Sequence, residues 1–342
     1  MSLGKVFVSR RIRQAGLDLL TEAGAELRVW PGEENQGPGR DEVIEGARWA
    51  DVLLSLLTEP IGRDVMEANP ELRGIAQFAV GYDNIDVAVA TELGIPVSNT
   101  PGVLTDTTAD LTWALLLSAC RNIVAGDAYM RGGHYKLWGP NLLLGEDASP
   151  GGDGRRKVLG IIGFGRIGQA VARRARGFDM RVLAFDPYAR KAIEADEEAE
   201  WAEFEELLAE SDFVTIHTLL SDETRHLIDA AALDKMKSTA YLINAARGPI
   251  IDEAALVVAL REGKIAGAGL DVYEREPAMA DGLAECDNAV LLPHLGSASR
   301  GTRDKMATMA ATNALAMLRG ERAPNCVNAE VYDTDAYAGR TS

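Results

Sequence analysis

The stretch Lys157–Gly168, KVLGIIGFGRIG, restricts the fold more than any other part of the chain. An apolar run reads as a buried strand and passes directly into glycines at 163, 165 and 168, then into the helical stretch Gln169–Arg176. A strand that turns on glycine into a helix is the opening of a parallel βαβ unit, because parallel neighbours need a crossover. Gly163 permits the tight turn, Gly165 lets phosphates approach the backbone, and Gly168 lets helix and strand pack closely. The helix N-terminus adds free N–H groups and the positive end of its dipole. A second strand, Arg181–Phe185, ends in Asp186, eighteen residues past the last glycine, where a carboxylate accepts from adenosine ribose hydroxyls. A glycine turn kept only for packing requires no such aspartate, so the pattern reads as an NAD(P) site. Against a 2′-phosphate a few ångström away, that carboxylate costs on the order of 1–4 kcal/mol per unit of like charge. NAD is therefore expected, with NADP left open because Arg190 and Lys191 follow closely.

The same alternation runs through the rest of the chain. Lys5–Val8, Ala25–Trp30, Asp51–Leu56, Arg73–Gln77 and Ile95–Ser98 read as strands, with Arg40–Trp49 and Arg63–Asn69 as helices between them. A longer helix is expected from about Asp106 to Val124, opened by Thr105 or Asp106, with Leu111, Leu115, Cys120 and Val124 on one face. Residues 132–156 then hold seven glycines (132, 133, 139, 145, 151, 152 and 154) and two prolines (140 and 150). No strand precedes this cluster, so it reads as a surface loop or linker rather than a phosphate cradle. Strands resume near 157–162, 180–185, 212–216, 239–243, 265–270 and 289–292, six in one doubly wound sheet. After Pro293 come one helix, about Arg300–Arg319, and a tail, too little for a domain, so they are expected to pack on the N-terminal domain.

Composition narrows the partners. The 342 residues suit two domains, and 47% hydrophobic with 25% charged excludes disorder, collagen and a disulfide mini-scaffold. Acidic residues outnumber basic ones 52 to 35, and a net charge of −17 repels phosphate backbones and anionic membranes, so neither nucleic acid nor membrane is expected as a partner. Met1–Arg11 has no apolar signal core and the apolar stretch Leu111–Cys120 is too short to span a bilayer, which leads to a cytoplasmic expectation. Cys120, Cys286 and Cys326 are odd in number and far apart, and read as reduced thiols rather than a disulfide or zinc set.

Further motifs follow the fingerprint: Asn244-Ala-Ala-Arg247-Gly248, Gly269-Leu-Asp271-Val-Tyr-Glu-Arg-Glu276-Pro277 and Leu292-Pro293-His294-Leu-Gly296-Ser297. Val80-Gly81-Tyr-Asp-Asn-Ile-Asp and Asn99-Thr-Pro-Gly-Val-Leu-Thr-Asp-Thr-Thr-Ala-Asp precede it. Taken together, these strings resemble the D-isomer-specific 2-hydroxyacid dehydrogenases over nearly the whole chain, and the last is most similar to their glyoxylate and hydroxypyruvate reductase branch. The resemblance implies two doubly wound, Rossmann-like parallel-sheet α/β domains with the active site in the cleft between them. One would be a discontinuous substrate-binding (catalytic) domain, 1–100 plus 297–342. The other, 101–296, would bind NAD and include a dimerisation arm near 118–150.

The family's arginine, glutamate and histidine match Arg247, Glu276 and His294. Read without the resemblance, Arg247 before Gly248 caps a turn, Glu276 sits in a solvated acidic loop with Asp271, Glu274 and Asp281, and His294 is an isolated loop histidine. The proposed chemistry does need these residue types. A keto acid taking hydride at C2 needs a proton on its carbonyl oxygen, and histidine holds a deliverable one near neutral pH. A carboxylate behind the ring fixes its tautomer and favours its charged form, so Glu276 is expected to raise the working pKa of His294. An arginine fork grips the substrate carboxylate and polarises the carbonyl.

The resemblance also places the backbone of Val80 and Gly81 on the substrate carboxylate, and Asp271 on the nicotinamide carboxamide. Arg166 and Ile167 would touch the pyrophosphate, with Thr108, His217, Ala245, His294 and Gly296 along the cofactor. Tyr135-Lys-Leu-Trp138-Gly-Pro140 resembles the arm through which family dimers embrace, with Trp138 reaching the partner's substrate pocket; the ordinary reading is a core tryptophan. The sequence departs from the family at Leu219, where proline is usual, and in the longer glycine cluster before Lys157. No ligand pair sits at helix or turn spacing, so no metal is expected. The expected activity is NAD(H)-dependent reduction of a small 2-keto acid, with glyoxylate or hydroxypyruvate favoured by the branch resemblance. D-3-phosphoglycerate dehydrogenase shares the triad, although the chain ends at Ser342 without a regulatory domain. A non-catalytic, corepressor-like NAD sensor is the alternative of another class.

Overall fold

A computed structural model describes residues 2–33, 35–152 and 154–341. The chain opens as β1 (Gly4–Val8), α1 (Gln14–Glu22), β2 (Ala25–Val29), α2 (Arg40–Trp49), β3 (Val52–Ser55), α3 (Arg63–Glu67), β4 (Gly74–Gln77), α4 (Val87–Glu92) and β5 (Val97–Ser98). It continues through α5 (Thr105–Cys120), α6 (Ile123–Arg131), β6 (Val158–Ile162), α7 (Arg166–Ala175), β7 (Arg181–Phe185), α8 (Arg190–Glu194), β8 (Ala199–Trp201) and α9 (Phe204–Glu210). Then come β9 (Phe213–Ile216), α10 (Ala230–Lys235), β10 (Tyr241–Asn244), α11 (Glu253–Arg261), β11 (Gly267–Leu270) and β12 (Ala289–Leu291). Helices α12 (Arg300–Leu318) and α13 (Asp335–Thr341) close it.

These elements form two compact units, Met1–Leu104 with Ala298–Ser342, and Thr105–Ser297. In the first, five parallel strands run in the order β2-β1-β3-β4-β5. One face is covered by α1 and α12, through Leu17, Leu20, Met306 and Ala310, and the other by α2 and α3, through Val43, Ala47, Val65 and Met66. Parallel strands covered on both faces read as continuous apolar runs, which is why VLLS in β3 and VLGII in β6 are buried at every position. The returning α12 supplies an alanine-rich face, and its tail runs past β5, where Asn328 Oδ1 accepts the Val97 N–H at 2.8 Å. The tail then forms a short 3₁₀ turn, Ala329–Asp333, and α13, two elements that the expectation of one helix and a tail did not include.

The second unit has seven parallel strands in the order β12-β11-β10-β9-β6-β7-β8, with separate apolar cores on the two faces. Seven strands replace the six expected. The extra one, β8, is three residues with Glu200 at its centre, inside an acidic stretch that carries no strand pattern, and it exists by pairing with Val182–Ala184 at the sheet edge. The long helix expected to reach Val124 stops at Cys120. Asn122 takes the left-handed conformation at φ 53° and a new helix starts at Ile123, so Val124 is exposed while Leu115 and Cys120 stay buried. No regular helix or strand falls within the described part of 132–156. Among the described residues, no helix is long and apolar enough to cross a membrane. The three cysteines are free thiols.

Candidate active site

Ligands in open parallel sheets gather outside the carboxyl ends of the strands, at the point where strand order reverses. In the second unit that point lies between β6 and β9. Gly163 follows β6, Asp186 follows β7, His217 follows β9, Ala245–Arg247 follow β10, Asp271 follows β11 and His294 lies just beyond β12. Residues spread over 132 positions of sequence thus share one edge of one sheet.

The glycine turn is shaped for a pyrophosphate. Gly163 has φ +91°, and a Cβ there would lie 2.5 Å from the Thr218 nitrogen; one on Gly168 would lie 2.2 Å from the Gly163 carbonyl oxygen. At Gly165 a Cβ would meet nothing within 4 Å, which leaves open space above the backbone. Helix α7 begins there without a side-chain cap, so its first N–H groups remain for an anion. Arg166 is exposed and Ile167 half-buried in that first turn. Asp186 sits beside the turn, its Oδ2 accepting the Phe164 N–H at 2.9 Å and its Oδ1 the Tyr188 N–H at 3.0 Å. Both ring nitrogens of His217 are buried without a partner, and burial pushes that imidazole's pKa down to about 3. Open backbone, an uncapped helix start and orphaned polar atoms fit a dinucleotide. Leu219, in place of the family's proline, is exposed on the adjoining loop.

At the other end of the same edge, the His294 ring meets Glu276, with Nδ1 and Oε2 2.9 Å apart and both side chains about a quarter exposed (27% and 28%). Burial works to raise the Glu276 pKa, but the hydrogen bond and charge of His294, the Tyr273 N–H and the Arg247 charge outweigh it and hold the carboxyl below its ordinary value. An ionised carboxylate only accepts, so Nδ1 carries the hydrogen and Nε2 is left to face a substrate. The Glu276 Oε1 accepts the Tyr273 N–H at 3.1 Å.

The backbone around this pair is tightly tied. Asp271, fully buried, accepts the Leu295 N–H at 2.6 Å and the Gly296 N–H at 2.7 Å, while its carbonyl accepts from the His294 N–H at 2.8 Å. Burial raises the Asp271 pKa against the pull of those amides and of His294. Thr108, buried on α5, donates to the Gly296 carbonyl at 3.1 Å. Asp271 and Thr108 therefore secure the histidine loop in addition to any contact with a cofactor.

Arg247 is half-buried in the turn after β10, its Nη1 donating to the Ala246 carbonyl, with Ala245 half-buried beside it. Asn244 shapes that turn by donating to the Arg247 carbonyl and accepting the Ala246 N–H. A Cβ on Gly248 would sit 1.8 Å from the Tyr273 carbonyl carbon, so only glycine lets the arginine turn pack on the loop bearing Glu276. Asn244 and Gly248 bound the motif around Arg247 but the sequence assigns them no such role, and sequence patterning does not single out the buried Glu253, whose one available signal is its place a few residues after Arg247. Val80 and Gly81 belong to the first unit, in the loop after β4, where Asn99 Nδ2 donates to the Val80 carbonyl at 2.7 Å. Trp138 is 71% exposed in this chain, which sets aside the core-tryptophan reading. Among the described residues no group of three or more His, Cys, Asp or Glu is arranged to hold a metal.

Residues 113–296 match the D-isomer specific 2-hydroxyacid dehydrogenase NAD binding domain, and the chain belongs to that family of NAD(P)-dependent oxidoreductases. It is 50% identical over 329 residues to a glyoxylate reductase of Korarchaeum cryptofilum and 48% identical over 331 residues to one of Pyrococcus horikoshii, with 96% of each chain covered in both cases. In structure it is similar to a protein from Thermus thermophilus, with TM-score 0.85, 42% identity and 94% of this chain and 99% of that one covered. It is also similar to an NADPH-dependent glyoxylate/hydroxypyruvate reductase of Sinorhizobium meliloti crystallised with NADP and malonate, with TM-score 0.79, 30% identity and coverage of 96% and 98%.

Proposed function

We propose that this protein reduces glyoxylate, hydroxypyruvate or a similarly small 2-keto acid to the D-2-hydroxy acid, using NADH in preference to NADPH. The observation that carries the reading is the His294–Glu276 contact at 2.9 Å, on the sheet edge that also bears Arg247 and the glycine turn. When bound, the reduced nicotinamide supplies the hydride taken up at C2. Arg247 binds the substrate carboxylate and polarises the carbonyl, and His294 gives its Nε2 proton to the carbonyl oxygen as that becomes a hydroxyl. Glu276 holds the ring in the tautomer and charge state this requires. In the first unit, the main chain at Val80 and Gly81 is assigned to the substrate carboxylate. Arg166, Ile167 and Gly165 are assigned to the pyrophosphate, Asp186 to the adenosine ribose, Thr108, His217, Ala245 and Gly296 to the length of the cofactor, and Asp271 to the carboxamide. The stretch 118–150 is assigned to a homodimer arm, supported by a run of exposed apolar side chains that includes Ile123, Met130, Leu137 and Trp138.

An NADH-oxidation panel of glyoxylate, hydroxypyruvate, pyruvate, a bulky 2-keto acid and phosphohydroxypyruvate tests the reading. The two smallest polar acids are expected to give the highest kcat/KM. Preference for phosphohydroxypyruvate moves the assignment to phosphoglycerate dehydrogenase, and turnover of none of them sinks it.

A further inference from the structure

Helix α11 begins at Glu253, a glutamate only 3% exposed. An acidic residue in a first helical turn ordinarily faces solvent and complements the dipole. This one points inward and joins two main-chain donors across a loop: Oε1 accepts the Glu274 N–H at 2.5 Å and Oε2 accepts the Ala280 N–H at 2.9 Å. Glu276 lies between those two anchor points. The clasp is closed from outside by Glu274, whose Oε1 meets His226 Nε2 at 3.0 Å and whose Oε2 takes the Glu253 N–H at 3.5 Å. Burying a carboxylate against two further ones, Glu274 and Glu276, is costly, and burial first and those charges second push the Glu253 pKa up against the pull of the amides. A leucine here would cover the same apolar surface without that cost but would leave both amides unpaired.

We propose that Glu253 is a positioning residue for the acid–base pair: its carboxylate fixes the loop 274–280 so that Glu276 stays within hydrogen-bond reach of His294. It touches neither substrate nor cofactor and acts only through Glu276. The inference rests on the assignment of His294 and Glu276 under the proposed function. Five residues separate Glu253 from Arg247, and Gly248 packs on Tyr273, so the same helix start also ties the arginine turn to this loop.

Glu253→Gln replaces one acceptor oxygen by an NH₂ that cannot pair with a main-chain N–H. Misplacement of a catalytic group by about 1 Å costs roughly 100-fold, and a fall in kcat of roughly 10- to 100-fold is expected. Binding of NADH, followed by fluorescence titration, should stay within about twofold of wild type. The charged groups around the His294–Glu276 pair are Asp271, Arg247 and Glu253, with Glu274 and His226 behind them, and the contact that should weaken is the one between Glu276 and His294. The alkaline limb of the reductive rate profile should therefore move to lower pH, in the direction given by Glu276→Gln. In a double-mutant cycle the effect of Glu253→Gln should largely vanish in the Glu276→Gln background. Losses that multiply independently overturn the proposal, as does a folded Glu253→Gln protein with wild-type kcat and pH limb. Should that variant fail to fold, Glu253→Asp keeps the charge, cannot span both amides, and must show the same effects in smaller measure; a folded Asp variant with wild-type behaviour also overturns it. If Glu276→Gln alone leaves kcat and the limb unchanged, the acid–base assignment has failed and the brace falls with it, an outcome distinct from the other three.

Discussion

His294 holds its backbone at φ +56°, a conformation uncommon outside glycine and asparagine, and the Asp271 carboxylate keeps it there by taking the next two amides. The ring then stands against Glu276 with its proton assignment fixed. His294→Ala should lower kcat by roughly 10²- to 10⁴-fold, the range of a lost general acid. Glu276→Gln keeps the shape and withdraws the charge facing the imidazolium; reduction needs that ring protonated and is lost as pH rises, so its alkaline limb should move down in rate profiles taken between about pH 5 and 10. An unmoved limb, with chemistry shown to be rate-limiting, removes Glu276 from the assignment. Asp186 invites a parallel test on the cofactor. Its carboxylate lies beside the glycine turn, whereas Arg190 pairs with Glu194 at 2.9 Å and stacks 4.7 Å above Trp201. Asp186→Ser should narrow the preference for NADH over NADPH in kcat/KM; a wild type that favours NADPH by about tenfold contradicts the assignment. The proposed set Arg247, Glu276 and His294 was legible only as motifs in a fixed order along the chain, since of the three types only histidine is scarce, with four in the sequence, and the glycine turn was legible from its place between an apolar run and a helix. Glu253 was not, since nothing in a helix-opening Asp-Glu pair says that the second acid turns inward.

Among the elements, the two edges of the seven-stranded sheet divide the work. The carboxyl edge carries the candidate site, and the amino edge is held by Asp212, just ahead of β9. Its side chain is 6% exposed, and it accepts from Arg155 at 2.9 Å, Lys237 at 3.0 Å and the Val158 N–H at 2.8 Å. Burial works to raise the Asp212 pKa, yet Arg155, the amide and Lys237 win and hold it below the ordinary carboxylate value. A depressed folded pKa stabilises the fold at pH above the unfolded value of about 3.9, and that contribution is lost as pH falls through the lower folded value. Asp212→Asn should cost about 1.5–3 kcal/mol at pH 7, by withdrawing the buried charge that the partly exposed Arg155 and Lys237 and the buried Val158 N–H share, and should flatten the acid limb of the unfolding curve. Urea titrations at about pH 7 and pH 3.5 check it: equal losses at both would show that the charge plays no part. Strands buried on both faces were readable from their apolar runs. Edge strand β8 was not, because it is formed by its neighbour and not by its own residues, and the break at Asn122 was hidden because the residues on both sides keep helical spacing.

At the scale of the whole molecule, the apolar run on α6 and the following loop leaves Leu137 83% and Trp138 71% exposed in a single chain. If the proposed homodimer forms through this arm, Leu137→Asp with Trp138→Ala should lower the sedimenting mass to that of a monomer; a mass equal to that of the wild type removes the arm from the assembly. The discontinuity of the first unit has a consequence for how the protein is made. Strands β1–β5 leave the ribosome early, but α12, which shares one of their faces with α1, and Asn328, which caps the Val97 amide, emerge only after the whole second unit has been synthesised. For nearly two hundred residues of elongation the nascent sheet has α1 alone on that face, so the apolar surface that α12 later covers is exposed to aggregation or to holding chaperones while 105–297 can already collapse on its own. Expressed separately, 105–297 should fold cooperatively and 1–104 should aggregate, and co-expression with 298–342 should restore the latter to solution. A soluble, cooperatively folding 1–104 fragment would mean that the early strands do not wait for the end of the chain.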